Sequence, residues 1–351
     1  MLKSVAAIDT AHGEPLTVDE IELPDPGPEQ VQVKLFSSGI CHSQLHQMEN
    51  AEAQRPMLLG HEGTGVVTGK GRDVTHVEEG DHVIVTWVPR EPVRGRPGVP
   101  PSGATYHEQP LHGGVFTWTN DVLAPEQRVV KIPKEAPTDI SCIVGCAVLT
   151  GAGAVLHTAQ VRPGDSVAVF GVGGVGISAV QMASILQAYP IIAVDLSDDK
   201  LEYARRMGAT HTVNASKEDP VKAIPEMTNG GVDYAFDDIG VRATLEQILP
   251  VTRSGGPGAD NHGGMAVMIG MPPPQITIEP RHFQQNQRRY RGSLGATRPE
   301  EDFPMFLRWY DEGKLKLDEM VTRRYKLEEI NQGCDDLRNG RITGRAIIEY
   351  T

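Results

Sequence analysis

Cysteine is scarce here, with four in 351 residues, at positions 41, 142, 146 and 334. Thiols so few and so scattered make no disulfide framework, which leaves metal ligation, catalysis or inert burial as their uses. Aromatic residues are scarce too, at 5%. Positive charge is in deficit: 33 Lys and Arg stand against 46 Asp and Glu, a net −13, and no basic run exceeds a pair such as Arg288-Arg289. That balance argues against nucleic acid and anionic membrane as partners. No apolar stretch reaches the roughly 18 residues of a membrane helix, and "MLKSVAAIDTAHGEP" has no secretory apolar block. The expectation is a cytosolic protein whose thiols stay reduced.

What is plentiful is turn chemistry, with 38 glycines and 26 prolines. The length favours two domains, each large enough for its own core. Up to about residue 145 the chain reads as short alternating β-runs between turns, among them "QVQVKLFSS", "GTGVVTGKG", "DHVIVTWVP" and "VVKIP". Period-two patterning of this kind predicts an antiparallel, partly barrelled β-domain. From about 146 to 290 apolar strands alternate with helical patterns, as in "SVAVF", "VGISAVQMASILQ", "IIAVD", "DKLEYARRMG" and "VDYAFDD". Strand alternating with helix predicts an α/β, doubly wound parallel sheet. The last sixty or so residues read as helical with a terminal strand, "RAIIEYT". The segment Pro89 to Gly114 is rich in Pro and Gly and has no periodicity, so it is expected as a surface lobe or lid.

Within "SVAVFGVGGVGISAVQMA", Gly171, Gly173 and Gly176 form a G-x-G-x-x-G pattern between a buried strand and an apolar helix. The first glycine permits the tight turn, the second lets backbone approach a pyrophosphate, and the third lets helix pack on strand. The helix start then offers unpaired N–H groups and a positive dipole end to the phosphates. A second strand ends in Asp195, nineteen residues after Gly176. Its carboxylate suits both hydroxyls of an adenosine ribose and repels a 2′-phosphate, which predicts NAD rather than NADP; Lys200 would reach the same ribose.

"GICHSQLH" places Cys41 among two histidines. His61, in "LLGHEGTGVV", and Cys146, in "CIVGCAVLTGAGA", complete a set of two thiolates and one imidazole that only the tertiary fold would assemble. Three protein ligands leave one tetrahedral position open, the requirement of a catalytic rather than a structural zinc. Cys142 is expected to face a core, Cys334 has no partner in view, and His107 and His112 are expected in solvent.

With these motifs in order, "GICHSQLH", "GHEGTGVV", "GCAVLTGAGAV", "GVGGVG" and the aspartate of "AVDLSDDK", the chain resembles the zinc-dependent alcohol dehydrogenases of the medium-chain dehydrogenase/reductase superfamily. The detail of "GAVLHTAQVRPGDSVAVFGVGGVG" is similar to the formaldehyde and aryl-alcohol dehydrogenase branch. The resemblance implies a GroES-like, partly barrelled catalytic domain from residues 1–147 and 294–351, with a Rossmann domain over 148–293. It implies Cys41, His61 and Cys146 as zinc ligands and Glu62 as a carboxylate beside the metal. Ser43 would take the alcohol proton and His46 would pass it on through a ribose hydroxyl. His42 and Arg345 would lie on the pyrophosphate, Thr150 and Val175 beside the nicotinamide, Gly174 and Gly270 at the cofactor, and Trp87 on the substrate pocket wall. The activity implied is hydride transfer between an alcohol and NAD, with zinc acidifying the alcohol to an alkoxide near neutral pH. A homodimer or homotetramer is implied as well. Two alternatives stay open: a nicotinoprotein that keeps NAD(H) and uses an external acceptor, and a non-catalytic dinucleotide-binding descendant.

Three features depart from that pattern. The segment from Pro89 to Gly114 contains no cysteine, so one catalytic zinc and no structural zinc is expected. Gln44 stands where an aspartate usually orients the zinc-ligand histidine, and a neutral amide raises ligand basicity less. His42 stands where arginine is commoner, and an imidazole that titrates near neutrality makes the cofactor grip pH-dependent.

Overall fold

The computed structural model describes residues 1–95 and 98–350. In chain order the first part of the molecule is β1 (Leu2–Asp9), β2 (Thr17–Leu23), β3 (Gln30–Ile40), α1 (His42–Glu49), β4 (Met57–Leu58), β5 (Glu62–Lys70), β6 (His82–Thr86), β7 (Thr105–Tyr106), β8 (Gln109–Pro110), β9 (Asp121–Pro125) and β10 (Val129–Lys131). The second part holds α2 (Ala147–Gly153), β11 (Val167–Phe170), α3 (Gly174–Ile185), β12 (Ile191–Asp195), α4 (Asp198–Arg206), β13 (His211–Asn214), α5 (Pro220–Met227), β14 (Tyr234–Asp237), α6 (Arg242–Gln247), β15 (Met265–Met268), α7 (Arg281–Gln284) and β16 (Arg289–Gly292). The chain closes with α8 (Pro299–Asp311), α9 (Leu317–Met320), β17 (Val321–Tyr325), α10 (Ile330–Arg338) and β18 (Arg345–Glu349).

Two compact units result. The first is Met1–Cys146, Arg298–Glu312 and Leu317–Thr351; the second is Ala147–Thr297 and Gly313–Lys316. The sequence-based boundaries of 147 and 293 therefore compare with divisions after Cys146 and Thr297, and a four-residue return to the second unit has no signal in the sequence.

In the first unit one sheet runs β4-β1-β2-β7-β8 and a second runs β10-β6-β5-β3-β18-β17, with β9 also paired to β3. All pairings are antiparallel except β17 with β18. Alternation in β3 does what the pattern dictates: Val31, Val33 and Leu35 are buried with Val83, Val85 and Val122 in one core. The strand is then buried on both faces through Ser37, Ser38 and Gly39, and Ile40 joins a second core with Leu45, Trp118, Ile330 and Ile348. That core anchors α1 against the last strand, and the junction of β3 with α1 carries Cys41. The N-terminal twenty residues, to which the motifs assigned nothing, form the β1–β2 pair in register from Leu2–Leu23 to Ile8–Thr17.

The segment Pro89 to Gly114 differs from the expectation of a lobe or lid. From Ser102 onward it is stitched to the first sheet: Ser102, Ala104 and Leu111 are buried, and Thr105 pairs with Glu22. Edge pairing on β2 satisfies backbone groups that an unpaired loop would leave to water. His107 is exposed at the hairpin tip with φ of 49°, as expected. His112 is half-buried, its backbone bonded to Pro56 and Leu58. Arg96 and Pro97 of this segment lie outside the described residues.

In the second unit six parallel strands run β13-β12-β11-β14-β15-β16. The order reverses between β11 and β14, the topological switch point where a doubly wound sheet binds its ligand beyond the strand ends. The core strands are short and almost wholly apolar, as a sheet covered on both faces requires. Among the described residues no helix is long and apolar enough to cross a membrane.

Candidate metal centre and dinucleotide site

Cys41 occupies the N-cap of α1, directly after β3. His61 lies between β4 and β5, and Cys146 follows the 3₁₀ turn Ile140–Gly145. Three elements far apart in sequence thus deliver one donor atom each. Their ligand atoms and that of Glu62 all lie within 4.8 Å of one another, in the first unit. Cys41 Sγ is 4.0 Å from Cys146 Sγ, and His61 Nε2 is 3.0 Å from Cys146 Sγ. A tetrahedral zinc with bonds of about 2.3 Å to sulfur sets two sulfurs roughly 3.8 Å apart, so the donor set and its size fit that ion.

The electrostatics agree. The hydrogen bond that Cys146 gives Cys41 holds the Cys41 thiol well below the usual range, while that same bond and burial push Cys146 well up. The pair thus gives up one proton readily and keeps the other, which a bound cation displaces. Behind them Glu62 is fully buried, and its carboxylate accepts a bond from the buried Arg345 guanidinium at the start of β18. Burial alone would lower the Arg345 guanidinium, but Glu62 and the two thiols outweigh it and raise it further, so it stays charged. Gly39 is required for this packing, because a Cβ there would sit 2.4 Å from the Glu62 carboxyl. Arg345, expected on the pyrophosphate, has its guanidinium engaged at Glu62. Nothing in the local sequence announced that pairing across 283 positions.

Cys142 is buried with its thiol pushed up to about 12 by burial, and Cys334 in α10 is likewise pushed up to about 12. Cys142 Sγ donates to Asp139 O at 3.2 Å. Neither belongs to the donor cluster.

Gln44 is 1% exposed and hydrogen-bonds His61 Nδ1. Gln44 presents its Nε2 to that ring nitrogen and leaves Oε1 without a partner among the described residues. Ligation of a metal through His61 Nε2 puts the ring proton on Nδ1, and the Gln44 amide then turns over to accept it through Oε1. Because a carboxylate in that place would make the imidazole a stronger donor, Gln44→Asp is expected to retain zinc about tenfold better against a chelator. Equal metal loss from both proteins in a timed chelation assay would contradict this.

Ser43 and His46 share α1, three residues apart. The Ser43 hydroxyl is buried without a partner among the described residues, whereas the His46 ring is 53% exposed with Nδ1 4.0 Å from Glu49. One group is therefore screened from water and the other open to it. His42 is exposed at the first turn of α1. Trp87 is half-buried just after β6, its indole Nε1 buried without a partner among the described residues.

In the second unit the glycine turn has the predicted mechanics. Gly171 has φ of +86°, and a Cβ there would lie 2.4 Å from Ile239. A Cβ on Gly176 would lie 1.8 Å from the Gly171 carbonyl, whereas one on Gly173 meets nothing within 4 Å, leaving room for a ligand. Gly173 caps α3 and Gly174 opens it, with Val175 half-buried in the first turn. Asp195 ends β12, its Oδ2 accepting from Val172 N at 3.1 Å and its Oδ1 from Leu196 N at 2.8 Å. Those bonds fix the carboxylate beside the phosphate turn. Lys200 is half-buried on α4. Thr150 Oγ1 on α2 is buried without a partner among the described residues, and Gly270 follows β15, its N–H on the Asp237 carbonyl. Clear space at Gly173, an oriented Asp195 and an orphan Thr150 hydroxyl fit a dinucleotide. The sequence reading passed over Asp238, which ends "VDYAFDD"; its signal was a pair of acids closing an apolar strand.

A Cys₂His donor set on a β-barrel-like unit, with a doubly wound sheet carrying a dinucleotide turn, defines a metal-dependent nicotinamide dehydrogenase. The family model described as "Alcohol dehydrogenase GroES-like domain" matches residues 27–134, and that described as "Zinc-binding dehydrogenase" matches residues 174–312. The chain belongs to the zinc-dependent alcohol dehydrogenases of the medium-chain dehydrogenase/reductase superfamily. It is 35% identical to the alcohol dehydrogenase class-3 of Cereibacter sphaeroides, over 99% of this chain and 100% of that one. It is 33% identical to the NDMA-dependent alcohol dehydrogenase of Amycolatopsis methanolica, over 97% of each. The solved benzyl alcohol dehydrogenase of Acinetobacter calcoaceticus superimposes with a TM-score of 0.89 at 29% identity, covering 100% of both chains.

Proposed function

We propose that this chain is an NAD-dependent, zinc-dependent alcohol dehydrogenase acting on a primary, aryl or small secondary alcohol, or on the corresponding aldehyde or ketone. The observation that carries the reading is the convergence of Cys41, His61 and Cys146 from three separate elements, with Glu62 held behind them by Arg345. Cys41, His61 and Cys146 hold one catalytic zinc, and the cysteine-free segment from Pro89 to Gly114 supplies no second site. When bound, zinc withdraws charge from the substrate oxygen and NAD offers the hydride acceptor.

The chain's own residues do the rest. Ser43, screened from water, takes the proton from the substrate hydroxyl, and the exposed His46 ring delivers it to solvent. Trp87 walls the substrate pocket. Asp195 and Lys200 hold the adenosine ribose, the turn from Gly171 to Gly176 and His42 hold the pyrophosphate, and Thr150, Val175 and Gly270 flank the nicotinamide. The protein works in the cytosol as a homodimer or homotetramer.

The test is a panel of alcohols with NAD and with NADP, followed by absorbance of the reduced cofactor before and after chelation, alongside metal analysis. The expected result is NAD-linked turnover, lost on chelation, and one zinc per chain. Two zinc ions per chain, or turnover indifferent to chelation, would contradict the reading. The likeness to an NDMA-dependent relative favours a second reading, a nicotinoprotein that keeps its NAD(H). Cofactor that survives gel filtration, with little turnover of added NAD, would select it.

A further inference from the structure

We propose that Asp238 tunes the choice between the two redox forms of the cofactor, its carboxylate favouring the positively charged nicotinamide ring of NAD⁺ over the neutral ring of NADH. The proposal rests on the NAD reading above. Asp238 is the first residue past β14, and its N–H donates to the carbonyl of Phe170, the last residue of β11, at 3.0 Å. That bond ties together the two strand ends at which the order of the sheet reverses. The next side chain, Ile239, lies over Gly171 at the start of the phosphate turn.

Direction along the sheet follows from the same geometry. Asp195, on β12, takes the adenosine ribose, and the pyrophosphate crosses the turn after β11. The nicotinamide half therefore lies on the far side of β11, beyond the end of β14. Asp237 and Asp238 are the ionisable pair at that end. Both carboxylate oxygens of Asp238 are screened from solvent and have no hydrogen-bond partner among the described residues. The carboxyl of Asp237 beside it has one unpartnered oxygen and one that accepts from Gly240 N at 2.8 Å.

Burial, and then the charge of Asp237, push the Asp238 carboxyl well above its ordinary range. Burial likewise pushes Asp237 up. The neighbouring strand ends bring Phe170 and Gly171 from β11 and Ile269 and Gly270 from beyond β15, none of them ionisable. Asp237 is thus the one charged group acting on Asp238 among the described residues, and it is of the wrong sign. A positive ring arriving nearby, in a medium where charges are poorly screened, supplies the missing counter-charge. The carboxyl then sheds its proton as NAD⁺ binds and keeps it as NADH binds. By linkage, the NAD⁺-to-NADH affinity ratio rises with pH, by at most about tenfold per pH unit, between the two states of the group.

The experiment is calorimetric titration of the full-length, zinc-loaded protein with NAD⁺ and with NADH, in two buffers of different ionisation heat. The wild type is expected to release up to one more proton with NAD⁺ than with NADH. Asp238→Asn is expected to abolish that excess and to flatten the pH dependence of the affinity ratio, while still binding NADH by fluorescence titration. Asp238→Val serves as the second variant, with the same outcome expected. An excess that persists unchanged in either variant overturns the proposal, as does a wild type with no excess. Failure of the wild type to bind either cofactor overturns the NAD reading as well, which separates the two. Melting curves give an independent check. The raised carboxyl supports the fold fully only below the ordinary carboxylate range, and that support is lost as pH climbs through its raised value. Asp238→Asn is therefore expected to gain more in melting temperature at about pH 8 than at about pH 5; equal gains at both would count against a titrating Asp238.

Discussion

Cys146→Ser is expected to strip the protein of its zinc and to lower kcat/KM by about a thousandfold or more, equivalent to at least about 4 kcal/mol of transition-state stabilisation. A thiolate is a soft, polarisable donor that a cation deprotonates readily, whereas a serine hydroxyl stays protonated at neutral pH and is a poor ligand for zinc. Cys146 Sγ lies close to both other donors, 3.0 Å from His61 Nε2 and 4.0 Å from Cys41 Sγ. Removing it leaves one sulfur and one nitrogen, too few to retain the ion against a mild chelator. Metal analysis with steady-state rates reads both effects. Cys142→Ser is the control: its buried thiol, pushed up to about 12, stands outside the donor cluster, and the variant should keep its zinc. Full metal content and near-normal turnover in Cys146→Ser would remove the basis of the proposed mechanism.

Arg345→Met is expected to destabilise the first unit by about 3–5 kcal/mol. The guanidinium and the Glu62 carboxylate are both buried, with side-chain exposures of 6% and 0%. Losing the cation leaves a fully buried carboxylate facing two thiols without its Arg345 ion pair, and breaking such a pair from one side costs far more than the intact pair contributes. The double variant Arg345→Met with Glu62→Gln is therefore expected to recover most of the loss, because the amide carries no charge to strand. Denaturant unfolding of the two singles and the double gives the coupling directly. If Arg345→Met costs under about 1 kcal/mol, or the double is worse than the sum of the singles, the pair is not the electrostatic support of the centre.

These outcomes bear on how legible the molecule was. The turn from Gly171 to Gly176 was readable because its requirements are local. A left-handed backbone, an open Cα and a close helix–strand approach each demand glycine at a set spacing, and the flanking runs show strand and helix. Asp195 was readable as the end of the next strand. The zinc ligands were readable as residue types, while their meeting came through resemblance, since Cys41 and Cys146 lie 105 positions apart. Less was legible where pairing depends on an edge found elsewhere. The hairpin β7–β8 forms because β2 offers an unpaired side. The strand β17 forms beside β18 within a tail that reads as helical.

The amino-acid sequence by itself determined the class of fold, the phosphate turn and the donor types, because these follow from backbone sterics, side-chain period and ligand chemistry over a few residues. Only the tertiary structure decided that Arg345 backs Glu62 and that Asp238 follows the strand at the reversal of the sheet. Each of those depends on an ionisable group buried against a distant element, and burial is a property of the assembled core, not of any short stretch of chain.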